Sequence, residues 1–166
     1  MKYLKYLKYV LKHKWHVFRA CQKQGITWLG ITHDWSKFRW SEFHPYANHF
    51  YGKGKKGISE GRDKTGYYKP TDTGDKAFDY AFFLHQERNK HHWQHWIVPV
   101  GCSGWKALMI LPKYRREMIC DWLGASKAQG HGGDMTSIRL WYLANGDKMT
   151  LNPVTKTVLE IELTVL

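Results

Sequence analysis

The helical apolar stripes of this chain are interrupted by histidine and aspartate, so any fold it adopts must bury those side chains with its hydrophobic residues. Over residues 2–23, Tyr6, Val10, His13, Val17 and Cys21 recur every three or four residues, while Lys5, Lys8, Lys12 and Arg19 fall off that line. That period belongs to an amphipathic helix. It turns His13 inward and leaves His16 beside Lys12 and Arg19 on the solvent side. A second strong helix is predicted over 75–89, with Phe78, Ala81, Phe82 and His85 on one face. If it persists, His92 follows His85 two turns later on that face; if it ends at Asn89, His91 is the alternative. Pro112 suits the first turn of a helix running to about Leu123, in which Asp121 falls in line with Tyr114, Met118 and Ala125. A carboxylate aimed at a core needs a partner, because a buried unpaired charge is expensive.

The remaining segments extend the helical pattern. A helix over 27–37 is expected to carry His33-Asp34-Trp35-Ser36-Lys37, and another over 41–50 has Ser41 as its cap and Pro45 in its interior. Glycines and lysines crowd residues 52–74, which read as a mobile surface loop suited to act as a lid. Leu108–Leu111 reads as a short extended piece, and Gly124–Gly133 as a glycine-rich connection. Asp134 can cap a helix through Ala144, and Asn152-Pro153 starts a C-terminal helix over 152–166. The pattern predicts an all-α bundle, one compact domain over residues 1–166.

Composition narrows the class. Hydrophobic residues make up 43% of the chain, too many for a disordered one. The three cysteines, Cys21, Cys102 and Cys120, are far apart with no CxxC, which speaks against a disulfide framework or a thiolate zinc site and suits a reducing compartment. No stretch approaches the ~20 apolar residues of a bilayer span. A cytoplasmic protein without stable membrane association is expected. The net charge is +12, and seven cations precede the first acid: Lys2, Lys5, Lys8, Lys12, Lys14, Arg19 and Lys23. Such a field attracts polyanions, and so points to a phosphorylated small molecule or nucleic acid as partner.

Each inward polar residue, taken singly, has an ordinary explanation: a core hydrogen bond for a histidine, an arginine or a helix cap for an aspartate. Together, His13, His33, Asp34, His85, His92 (or His91) and Asp121 intrude from separate helices into one small core. A shared divalent ion explains all of them at once. Mixed imidazole and carboxylate donors suit Mn²⁺, Mg²⁺, Fe²⁺ or Zn²⁺.

The order of a histidine, a His-Asp pair, further histidines and a late aspartate resembles the HD superfamily of metal-dependent phosphohydrolases. His33-Asp34-Trp35-Ser36-Lys37 resembles that superfamily's HDxxK form, in which the lysine lies near the phosphate. Longer segments are similar to a family of uncharacterised phage and bacterial proteins. They are HKWHVF (13–18), HDWSKFRWSEFHPYA (33–47), FLHQERNKHHWQHW (83–96), REMICDWLGASKAQGH (116–131) and WYLANGDKMTLNP (141–153). The HD resemblance implies an HD-domain-like bundle that hydrolyses a phosphate ester derived from a nucleotide or nucleic acid. His13, His33, Asp34 and Asp121 would hold the metal, and His85 with His92 or His91 a second ion or the departing phosphate. Asp34 would orient or deprotonate the attacking water, and Lys37, Arg88 and Lys90 would neutralise phosphoryl oxygens. The competing expectation is a non-enzymatic nucleic-acid-binding or phage accessory protein in which the same cluster is structural. Nine tryptophans and ten tyrosines would stack on bases there, or else fill the core.

Overall fold

The stripe of the first helix decides the architecture. In the computed structural model, which describes residues 1–55, 57–58, 62–67 and 73–165, helix α1 (Lys2–Lys23) buries Tyr6, Val10, His13, Val17 and Cys21. It packs against α2 (Thr27–Thr32), α3 (Trp40–Tyr51) and most extensively α5 (Pro112–Gln129), while α3 packs on α4 (Lys76–Arg88). Helices α6 (Met135–Asn145) and α7 (Pro153–Val165) close the far side of α5. The fold is all-α apart from a small antiparallel hairpin, Ile97–Pro99 with Trp105–Ala107, in which Ile97 faces Ala107. Among the described residues, no helix is long and apolar enough to cross a membrane.

Two apolar clusters flank the α1–α5 seam. One joins Tyr6 and Val10 of α1 to Tyr46, Ala47 and Phe50 of α3 and Phe78 and Ala81 of α4. The other joins Met118 and Ile119 of α5 to Ile138 and Tyr142 of α6 and Leu159 and Leu163 of α7. Val17, Cys21 and Cys120 fill the seam itself. The helices α1 and α5 can meet closely because Gly124 offers no side chain. A Cβ there would lie 2.3 Å from Val17 Cγ2 and 2.9 Å from the Val17 backbone nitrogen. Gly124 therefore belongs inside α5, and the helix runs past the expected end at Leu123 to Gln129. It stops at Gly130, whose φ of +85° is the left-handed conformation that glycine adopts freely.

The helix expected over 27–37 also differs. The chain leaves α2 after Thr32: His33 is extended, Asp34 has φ +54°, and Trp35–Phe38 forms a 3₁₀ turn. Successive residues on an unbroken helix point about 100° apart, so a helix would aim His33 and Asp34 in different directions. The break turns both to one place, and aspartate tolerates the left-handed region better than most residues. Helix α3 begins one residue earlier than expected, with Arg39 rather than Ser41 at its N-cap position and no side-chain cap, and continues through Pro45. The extended piece lies at Trp105–Ala107 instead of Leu108–Leu111. Asp75 and Asp134 cap α4 and α6, the latter through a reciprocal box with Ser137. Of the loop over 52–74, residues 56, 59–61 and 68–72 lie outside the described residues, so the lid expectation there stays an expectation. Residues 62–67 form a turn closed by the Asp63 side chain, which accepts from the backbone N–H of Thr65 and Tyr67. Lys148 pins that turn through Asp63 Oδ2, Thr65 Oγ1 and Asn145 Oδ1.

Candidate metal centre

Four elements deliver the inward polar residues to one place. Helix α1 supplies His13, the break after α2 supplies His33 and Asp34, α4 and the turn after it supply His85, His91 and His92, and α5 supplies Asp121. His13, His33, Asp34, His85 and His91 are buried, and the Asp121 side chain is 16% exposed. Helix α4 ends at Arg88 with Asn89 as its cap, and this resolves the choice between His91 and His92. The turn brings both rings to Asp34.

Asp34 divides the cluster into two donor sets. The first is His13, His33, Asp34 and Asp121. His13 Nε2 lies 3.5 Å from Asp34 Oδ2 and 3.1 Å from Asp121 Oδ1; His33 Nε2 lies 3.3 Å from each of those oxygens. The two Nε2 atoms are 3.4 Å apart. A tetrahedron around an ion bonded at about 2.0–2.2 Å has edges of about 3.3–3.6 Å, so these separations suit a shared cation. The second set is Asp34, His85, His91 and His92. Here Asp34 Oδ1 is the near oxygen, 3.3 Å from His85 Nε2 and 3.5 Å from His91 Nε2. Asp34 Oδ1 and the Nε2 atoms of His85, His91 and His92 are buried without a well-formed hydrogen bond, whereas Asp34 Oδ2 is met by the Lys37 ammonium. Buried polar atoms are rarely left so, and the three ring nitrogens that converge on this carboxylate are positioned, with it, to hold a metal ion.

The opposite ring edges of His33, His85 and His91 are occupied. Glu117 Oε1 accepts from His33 Nδ1 at 3.0 Å and faces His91 Nδ1 at 3.4 Å. Glu42 Oε2 accepts from His85 Nδ1 at 3.0 Å and from Ser36 Oγ at 2.8 Å, and Arg88 donates to Glu42 Oε1 at 2.6 Å. A carboxylate on Nδ1–H fixes the tautomer and leaves Nε2 with its lone pair turned inward, the arrangement that supports metal-ligating histidines. Glu117 also falls in a third possible donor group with His33 and His91. Its contacts reach their Nδ1 edges, which makes it a support for the two rings.

Charge follows the same pattern. Burial alone would raise the Asp34 carboxyl, but His33, Lys37 and His85 outweigh it and hold the group well below the usual carboxylate range. Burial likewise works against ionised Asp121, and His13 and His33 keep it ionised. Burial opposes a proton on His33, yet Asp34, Asp121 and Glu117 push its pKa well above the ordinary value. Burial, then His91 and His85, push His92 well down and keep it neutral. Lys37 Nζ sits 2.6 Å from Asp34 Oδ2, and against its own burial that carboxylate raises its pKa.

The structure does not bring Arg88 or Lys90 to the donor atoms. Arg88 stands behind His85, on Glu42 and Ser41, and the Lys90 amine lies over the Tyr114 ring. Sequence reading passed over Glu42 and Glu117, although both carried a signal. Glu42 precedes the buried Tyr46 by one turn, and Glu117 precedes Asp121 by one turn on α5. Ser36 lay inside the quoted HDWSK segment without a role.

No curated protein and no solved structure was found to match the chain. A family match covers nearly all of it: the chain belongs to the family of unknown function DUF5662, which it matches over residues 2–164.

Proposed function

We propose that this protein is a metal-dependent hydrolase of phosphate monoesters, with two divalent ions held on either side of Asp34. His13, His33 and Asp121 would complete one site, and His85, His91 and His92 the other. The observation that carries this reading is the bridging placement of Asp34, whose two oxygens face separate sets of inward-turned donors. Support also comes from the resemblance of the order His13, His33-Asp34, Asp121 to the HD superfamily of phosphohydrolases. Ions in such sites polarise phosphoryl oxygens and generate hydroxide from water near neutral pH.

The chain's own residues supply the rest. Asp34, held ionised and with both oxygens directed at donor sets, would help hold both ions and would not act as a proton acceptor. Lys37, cationic and beside it, neutralises charge on the phosphoryl oxygens as the ester P–O bond breaks. Glu117 and Glu42 keep His33, His91 and His85 oriented. The test is turnover of p-nitrophenyl phosphate by tag-free protein supplied with Mn²⁺, Fe²⁺ or Zn²⁺, beside Asp34→Asn. Metal-dependent turnover that the folded variant lacks supports the proposal. Wild type that binds metal yet turns over no monoester contradicts it and leaves the centre structural.

A second reading, nucleic-acid binding around a structural centre, draws on a surface of exposed tryptophans. Trp15, Trp28, Trp35 and Trp40 are all more than half exposed. Arg19 lies over the Trp15 ring and Lys14 over the Trp35 ring. Rings interleaved with cations suit single-stranded nucleic acid. Binding of a labelled oligonucleotide that weakens steeply with salt and is lost in Trp28→Ala with Trp35→Ala would favour it; absence of binding at low salt would end it.

A further inference from the structure

Beside the metal centre lies a cavity of about 530 Å³, within the size range of small-molecule sites. His91, His92 and Asp121 line it, so it opens directly onto the proposed metal ligands. Three rings form another part of its wall: Tyr67, Trp122 and Trp141. Tyr67 stacks on Trp141 with ring centroids 6.3 Å apart, and Trp122 meets Trp141 at 5.2 Å. This wall is held before any ligand arrives. The 62–67 turn that carries Tyr67 is pinned to Lys148 and Asn145, and the Lys148 amine lies over the Tyr67 ring. Gly66 brings that turn against the Trp141 indole, where an added Cβ would be 3.8 Å from Nε1.

The polar atoms of the wall narrow the ligand further. Gln94 also lines the cavity and adds an amide to its wall. The Lys64 side chain is exposed at the cavity's edge and adds a cation where an anion would enter. An aliphatic chain would use neither the ring faces nor Gln94. A sugar would lay a C–H face on one ring and offer no π face to the others. A flat heteroaromatic group with a polar edge uses all of them, since rings stack on indole faces whatever their identity.

We propose that this cavity seats the organic part of the substrate and that this part is a flat heteroaromatic group. The ester would then belong to the class of nucleoside monophosphates and aryl phosphates, with its phosphate at the Asp34 centre. The substrate class rests on the phosphoesterase reading; the pocket's preference for a ring does not. Trp141 and Trp122 act as specificity residues through ring stacking.

The test is calorimetric binding to the full chain supplied with Mn²⁺, using phosphonates that hydrolysis cannot consume: 1-naphthylmethylphosphonate against ethylphosphonate. Stacking on an aromatic side chain corresponds to roughly 5- to 100-fold in affinity. The naphthyl compound is expected to bind tighter by a factor in that range. Trp141→Ala should remove most of that advantage with ethylphosphonate binding unchanged, and Trp141→Phe should restore part of it. Equal binding of the two compounds to wild type, no binding of either, or an advantage that survives both Trp141→Ala and Trp122→Ala overturns the assignment. Turnover plays no part in this readout. A protein that binds the ring through Trp141 but hydrolyses no ester would overturn the phosphoesterase reading alone.

Discussion

Replacing Gly124 with alanine separates two effects of opposite sign. Alanine is the better helix former by about 1 kcal/mol, and α5 is a continuous helix through this position. On propensity alone, Gly124→Ala would stabilise the protein. Packing opposes this, because the new Cβ would stand 2.3 Å from Val17 Cγ2, 2.9 Å from Val17 N and 3.2 Å from Val17 Cα. The first contact cannot be relieved cheaply, since a β-branched residue within a helix has one strongly preferred rotamer. The other two involve backbone, so α1 itself must move. Overpacking of this kind costs about 1–3 kcal/mol, and contacts this short with backbone belong at the upper end. The net expectation is destabilisation by about 1–2 kcal/mol, or a fall in Tm of about 2–8 °C for a chain of this length. The same movement pulls His13 away from Asp121, now 3.1 Å apart across the seam. Thermal unfolding with a chelator present isolates the packing effect, and chelator competition measures the loss of metal affinity. A rise in Tm would show that propensity wins and that the α1–α5 contact is looser than described.

Three further outcomes follow from the centre and its frame. Glu117→Gln removes the charge that faces Nδ1 of His33 and His91, and metal affinity is expected to fall about 10- to 100-fold; unchanged affinity in a chelator competition would contradict its supporting role. The proton that Asp34, Asp121 and Glu117 hold on buried His33 in the metal-free protein must leave before Nε2 can ligate. Affinity should therefore rise with pH, and calorimetry in buffers of different ionisation enthalpy should show proton release; affinity that stays constant between about pH 6 and 9 would refute this. Asp134→Ala breaks the capping box of α6 and is expected to lower stability by about 1 kcal/mol, or Tm by about 2–4 °C, with metal content unchanged; loss of metal would show that α6 shapes the centre.

Much of this arrangement was legible before the fold. The stripe of α1 placed His13 inward because five residues at helical spacing left it no other face. The Asp134 cap and the Asn152-Pro153 start lay where side-chain chemistry put them, while Asp75, read as the first residue of its helix, is its cap. What could not be read were features set by a partner at a distance. Gly124 looks like a stop signal in sequence and becomes a contact point only when α1 lies against it. The His33-Asp34 break is invisible to periodicity, because its setting depends on what the Asp34 carboxylate meets from α1, α4 and the turn after α4. The choice between His91 and His92 depended on where α4 ends, and the turn beyond it delivers both. Arg88 shows the reverse error. Its charge suggested phosphate, while its place in the fold is behind His85, holding Glu42.

The central claim is that the buried histidines and aspartates hold divalent metal, and elemental analysis of tag-free protein tests it most directly. Metal should be measured as purified and after supply of Mn²⁺, Fe²⁺ or Zn²⁺, beside Asp34→Asn, Asp121→Asn and His92→Ala, with folding checked by circular dichroism. The account expects two equivalents in wild type, one each in the Asp121 and His92 variants, and loss of both sites in Asp34→Asn. A folded wild type that stays metal-free after supply would contradict it and return the cluster to a hydrogen-bonded core.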